Sequence, residues 1–106
     1  MATDLFADLV CASELETERE RRARIVQLEQ LHGRTALKLE ARKVARTLEL
    51  HSRAITRLPA LSSDRRELVR LGLTDWAVSA RVRALRMDTQ AKRLRRLLQL
   101  SEPRSR

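Results

Sequence analysis

The chain has 106 residues and is strongly basic, with a formal net charge of +9 at pH 7. This length fits one small domain, and a single cysteine excludes a disulfide within the chain. Glycine, proline and aromatic residues are scarce, whereas leucine, alanine, arginine and glutamate are abundant, which favours an all-α fold. Cys11 stands among apolar neighbours, which predicts a buried, unreactive thiol.

The charge is divided unevenly along the chain. Residues 1–33 hold seven acidic and four basic side chains, whereas residues 34–106 hold seven acidic and nineteen basic ones. This asymmetry favours a polyanionic partner for the second part. The basic residues are mostly arginine, which suits bidentate contacts with phosphate and guanine, although a GC-rich genome would also favour arginine over lysine.

The sequence offers little support for a membrane protein or an enzyme. No apolar run is long enough to span a bilayer, and the start of the chain lacks the basic residues of a secretory signal, so a cytoplasmic location without a membrane partner is expected. There is no glycine-rich phosphate loop, no metal-spaced cysteine and histidine set, and no nucleophile with a matching base. We therefore expect no catalysis, no cofactor and no metal.

The first part of the chain predicts an antiparallel helical hairpin. Residues 3–31 read as one helix or two, begun by Thr3 and ended by Gly33. A second helix is predicted over residues 35–58, and Pro59 should stop it. The short link between the two segments favours their antiparallel packing.

The second predicted helix carries an unbroken heptad seam of apolar residues. Such a seam is typical of self-association, so a homodimer is expected. His51 lies on the seam without other metal-ligand residue types, which favours a structural histidine over a metal ligand. The residues assigned to self-association are Leu37, Val44, Leu48, Ile55 and Leu58.

A short helix and a long basic helix complete the predicted bundle. Asp64 with Glu67 fits a capping box, with Ser63 as a competing cap, and the short helix should run over residues 65–71. Gly72 should end it, and the last helix should run from residue 75 to about residue 100. Residues 1–100 are thus predicted to form one helical domain, and residues 101–106 a disordered basic tail.

The segment LGLTDWAVSARVRAL, residues 71–85, resembles the helix-turn-helix core of bacterial transcription regulators. In that pattern a glycine occupies the turn, an apolar residue follows, and a serine or threonine starts the recognition helix. Gly72, Leu73 and Thr74 match these positions. Apolar residues then occur where the pattern packs the recognition helix on the core. These are Val78, Val82 and Leu85.

The resemblance implies that the rest of this helix faces a DNA major groove. Thr74, Ser79 and Arg83 would face outward, with other arginines near phosphates and guanine edges. The alternative is a plain helical corner, in which Gly72 and Thr74 only cap helices. The regulator pattern has a small residue, mostly alanine, four positions before the glycine. Here that position is Leu68, whose bulk should oppose a close crossing of the two helices and favour the plain corner.

The end of the last helix is basic and amphipathic, which fits nucleic-acid phosphates, an acidic protein groove or an anionic membrane surface. The absence of Trp and Phe near this stretch disfavours the membrane. The leading hypothesis is a small DNA-binding regulator, with DNA favoured over RNA. The alternative is a helical adaptor or inhibitor that acts on proteins. Association with RNA or the ribosome is a weaker version of the nucleic-acid-binding hypothesis. The predicted nucleic-acid-binding residues are Thr74, Ser79, Arg81, Arg83, Arg86, Lys92, Arg93, Arg95 and Arg96.

Overall fold

The computed structural model describes residues 4–58, 61 and 64–100, and it is all-α as the composition predicts. Residues 1–3, 59–60, 62–63 and 101–106 are outside the described part, and with them the expected roles of Thr3, Pro59, Ser63 and the tail. The helices of the described part are α1 (Leu5–Glu14), α2 (Glu18–His32), α3 (Arg34–Thr56), α4 (Arg65–Arg70) and α5 (Thr74–Leu97).

The first predicted segment forms two helices, α1 and α2, because a second helix start lies inside the acidic run. Thr17 caps α2, and its hydroxyl oxygen accepts a hydrogen bond from the Glu20 N–H at 3.1 Å. The carboxylate of Glu20 in turn accepts from the Thr17 hydroxyl at 2.8 Å. Asp4 caps α1, accepting from the backbone N–H groups of the residues two and three positions later.

Gly33 ends α2 as predicted, with φ of 86°, and α3 begins at the next residue. The most extensive packing in the molecule is between α3 and α5. The two helices run antiparallel, because Ile55 near the end of α3 packs against the start of α5. One turn earlier in α3, the Ser52 hydroxyl donates to the Ala84 carbonyl at 2.8 Å.

The heptad seam of α3 forms the core of the single chain, so its assignment to self-association is wrong for the central residues. Leu37 and Val44 are completely buried and Leu48 is buried, all against apolar residues of α1, α2 and α5. Ile55 is half-buried in a second cluster, and Leu58 is exposed. The apolar area that would drive dimerisation is already covered within the chain.

The prediction for His51 is also wrong, because its side chain is exposed. The next residue, Ser52, takes the buried position instead. A straight helix has 3.6 residues per turn, so a strict heptad pattern drifts across its surface over several turns. By the fifth turn of α3, this drift has moved the buried face by one residue.

The last two helices meet at a glycine corner with a Schellman arrangement. Gly72 has φ of 69°, its N–H donates to the Val69 carbonyl at 3.1 Å, and the Leu73 N–H donates to the Leu68 carbonyl at 2.8 Å. Leu68 and Leu73 then meet in a small apolar cluster that includes Ala77. Thr74 makes no capping hydrogen bond, so its predicted capping role is wrong; Leu73 occupies that position.

The same arrangement closes α5, but without a glycine. Gln99 has φ of 52°, and the Leu100 N–H donates to the Arg95 carbonyl at 2.8 Å. We expect Gln99→Gly to raise the free energy of unfolding by about 0.5–1 kcal/mol, because glycine adopts this left-handed conformation without steric strain. Urea denaturation of both proteins measures the change, and Gln99→Ala is the control, since alanine keeps the strain. Equal stability of the glycine and alanine variants would contradict the prediction.

Candidate nucleic-acid interface

Part of the predicted nucleic-acid-binding set is free to contact a polyanion. Ser79, Arg83, Arg86 and Arg96 are exposed on α5, and their side chains have no hydrogen bond or ion pair within the described residues. Their side chains therefore face water without compensation by an acid. Exposed, uncompensated arginines of this kind are the groups that bind nucleic-acid phosphates.

Arg95 belongs to the interior, so its assignment to a phosphate contact is wrong. Its guanidinium donates two hydrogen bonds to the Glu49 carboxylate, from Nη2 to Oε1 at 2.6 Å and from Nε to Oε2 at 3.3 Å. Only 9% of the Arg95 side chain and 16% of the Glu49 side chain is exposed. The bidentate geometry therefore joins α5 to α3 beneath the surface.

Three other members of the set are partly engaged within the chain. The Arg93 guanidinium donates to the Ser13 carbonyl at 3.1 Å, which ties α5 to the end of α1. Arg81 donates to the Leu61 carbonyl at 2.7 Å. Lys92 pairs with Asp88 at 3.0 Å on the surface. The positions of these side chains are set by contacts inside the protein. Thr74, the remaining member, is half-buried.

The corner does not pack as the helix-turn-helix pattern requires. Val78, Val82 and Leu85 are 54%, 46% and 69% exposed, so they do not hold α5 on the core. Buried alanines, Ala77 and Ala84, face the interior in their place. The face of α5 that the pattern predicts to pack on the core is thus exposed to solvent.

Leu68 explains this rotation of α5. Its side chain is buried in the corner beside Ala77, so it does not hold the helices apart. In the regulator pattern the small residue lies on the first helix and larger residues on the second. Here the large residue is on α4, and the small alanines are on α5, so α5 turns its alanine face inward.

Sequence reasoning missed a second basic surface, on the outward side of α3. Arg42, Arg46 and Arg53 are exposed, and their side chains have no hydrogen bond or ion pair in the described part of the chain. Spacings of four and seven residues place them on one face of the helix, over about 16 Å. We call these three residues the α3 basic stripe. The signal was available, because the polar side of the most regular amphipathic helix is the side that must face solvent.

No acid of α3 neutralises this stripe. The helix contains two glutamates, of which Glu49 is held by Arg95 and Glu40 lies 3.8 Å from Lys43. The stripe therefore presents three positive charges in a row. Such a row matches the regular negative charge of a nucleic-acid backbone.

The described residues provide no metal centre and no spanning helix. No group of three or more histidine, cysteine, aspartate or glutamate side chains lies close enough to hold a metal ion. No described helix is both long and apolar enough to cross a membrane. Cys11 is an exposed thiol, so its predicted burial is wrong; Ala12 and Ser13 beside it face the core instead.

Comparison of the chain with protein-family models, with curated proteins and with solved structures gives no significant match.

Proposed function

We propose that this chain is a small nucleic-acid-binding protein that holds duplex DNA by its phosphates. The observation that carries the proposal is the α3 basic stripe, in which Arg42, Arg46 and Arg53 share one face without an acidic partner among the described residues. Phosphate contacts dominate the affinity of most DNA-binding proteins and need only correctly spaced cations. The strongly basic composition supports the same partner.

The proposed contacts differ from those of the helix-turn-helix prediction. Base reading needs a polar helix face in the major groove, whereas the outward side of α5 carries Val78, Val82 and Leu85. The exposed Arg83 and Arg86 beside them would add phosphate contacts at most. We therefore propose binding with little sequence preference, through the backbone of the duplex.

The test is a salt titration of binding to a fluorescein-labelled duplex of about 20 base pairs. The variant combines Arg42→Gln, Arg46→Gln and Arg53→Gln, which removes the stripe from an exposed surface and should leave the fold intact. We expect affinity near 0.1 M salt to fall at least about tenfold. The slope of log K against log salt should flatten by about 2 to 3, because three phosphate contacts are lost.

A matched variant removes three charges from α5 by combining Arg83→Gln, Arg86→Gln and Arg96→Gln. It has the same net charge as the stripe variant, so a smaller loss, below about threefold, supports a localised contact on α3. A larger loss from the α5 variant would place the contacts at the corner and overturn the stripe as the interface. Absence of binding by the wild-type protein near physiological salt would overturn the function. Binding an RNA duplex of the same sequence more tightly than DNA would overturn DNA as the partner.

A second candidate function is the helical adaptor, and one observation favours it. The outward side of α5 exposes three large apolar residues in a row, which phosphate binding does not use. Contiguous exposed apolar side chains mark interaction surfaces in many proteins.

A further inference from the structure

A line of apolar side chains runs along the outward side of α5. Val78, Val82 and Leu85 are 54%, 46% and 69% exposed. Their spacing of four and then three residues places them on one face of the helix. We call them the α5 apolar stripe. Such spacing is that of a helix face which packs on another helix, yet no described helix of this chain covers it.

Basic side chains border the stripe on both sides. With 3.6 residues per turn, Arg81 and Arg86 lie on opposite sides of it. On the side of Arg81, a groove of about 280 Å³ runs past Thr56 and Leu61. On the side of Arg86, a groove of about 580 Å³ reaches Arg93 and Glu14. The stripe is thus a ridge between two shallow grooves, a surface into which the side chains of another helix can pack.

We propose that the α5 apolar stripe docks an amphipathic helix of a partner protein, with apolar residues on its contact face and acidic residues on its flanks. Charge complementarity identifies this occupant. The apolar centre excludes water from the contact, while Arg81 and Arg86 stand where flanking glutamates or aspartates of the partner would meet them. This inference does not depend on the proposed DNA binding, which uses the outward side of α3.

Neither the same stripe nor helix α1 of a second copy suits this surface. If the stripes of two copies packed on each other, Arg81 and Arg86 of one copy would lie near those of the other. Repulsion between these like charges opposes such a contact. The acidic helix α1 has its apolar side in its own core. Leu9 is completely buried there, and Phe6 and Val10 pack against the same cluster. The apolar side of α1 is therefore not available to the stripe of a second molecule.

Binding of the purified protein to a designed peptide tests the proposal. The probe is a fluorescein-labelled helical peptide of about 18 residues, with leucines spaced by four and three residues and glutamates on both flanks. The control peptide has lysine at every glutamate position. We expect the acidic peptide to bind at least about tenfold more tightly than the basic one.

The stripe is tested with Val82→Gln combined with Leu85→Gln. Both residues are exposed, so this variant should keep the helical circular dichroism of the wild type. We expect it to bind the acidic peptide at least about tenfold more weakly. The matched control, Leu39→Gln with Leu50→Gln, removes two leucines of similar exposure, 53% and 46%, from α3 and should bind as the wild type does.

Three outcomes would overturn the proposal. One is equal binding of the acidic and basic peptides, and another is an equal loss of peptide binding in the α5 double variant and the α3 control variant. The third is a dimer of the free protein in analytical ultracentrifugation that Val82→Gln with Leu85→Gln abolishes, since a second copy would then occupy the stripe. The variant without the α3 basic stripe should lose DNA binding and keep peptide binding. A failure of one proposal can therefore be distinguished from a failure of the other.

Discussion

Replacing Glu49 with alanine is expected to lower the free energy of unfolding by about 3–5 kcal/mol. Its carboxylate accepts two hydrogen bonds from Arg95, at 2.6 and 3.3 Å, and both side chains are largely withdrawn from water. The variant removes the carboxylate that accepts both of these hydrogen bonds from the buried guanidinium. Removing one partner of a buried pair costs far more than the net contribution of the pair itself.

Urea denaturation followed by circular dichroism measures this loss. The matched control is Glu18→Ala, which breaks the exposed pair with Arg22 and should cost below about 1 kcal/mol. A double variant, Glu49→Leu with Arg95→Met, should recover most of the stability, because no buried charge is left alone. Similar losses for Glu49→Ala and Glu18→Ala would show that the buried pair has no special role.

Truncation of the central core is expected to have an effect of similar size. Leu94 of α5 is completely buried and belongs to the main apolar cluster with Leu37 and Val44 of α3. Leu94→Ala should lower the free energy of unfolding by about 2–5 kcal/mol, since it removes apolar contacts and leaves a cavity between packed helices. In a domain of this size that is a large share of the total stability.

The control for this truncation is Leu85→Ala, on the same helix. Leu85 is 69% exposed, so its loss should change stability by less than about 0.5 kcal/mol. Thermal and urea denaturation of both variants give the comparison. A loss for Leu85→Ala as large as that for Leu94→Ala would mean that the outward face of α5 is covered in solution.

Local signals in the sequence predicted the helices well. Asp64 caps α4, Gly33 ends α2 and Gly72 ends α4, because capping and left-handed turns depend on the residues at the helix end itself. The division between α1 and α2 was also readable, since Thr17 and Glu20 form the pattern of a capping box.

The candidate surfaces were less predictable, because they depend on which face each helix turns inward. The helix-turn-helix pattern predicts Val82 and Leu85 as core residues of α5, but another set of apolar positions on this helix takes the interior. The set with Ala84 and Leu94 is buried, and the set with Val82 and Leu85 is exposed. Similarly, an arginine looks the same in the sequence whether it is buried and paired, as Arg95 is, or free on the surface.

The sequence by itself determined the helical class, most helix ends and the basic character of the second part of the chain. These features depend on neighbouring residues and on composition. Only the tertiary structure decided that α3 packs along α5, that Leu68 packs against the alanines of α5, and that Glu49 forms an ion pair with Arg95. These contacts join residues far apart in the chain, and side-chain size and shape choose the face that each helix buries. Through that choice, the tertiary structure placed an apolar stripe outside on α5 and an unpaired row of arginines outside on α3.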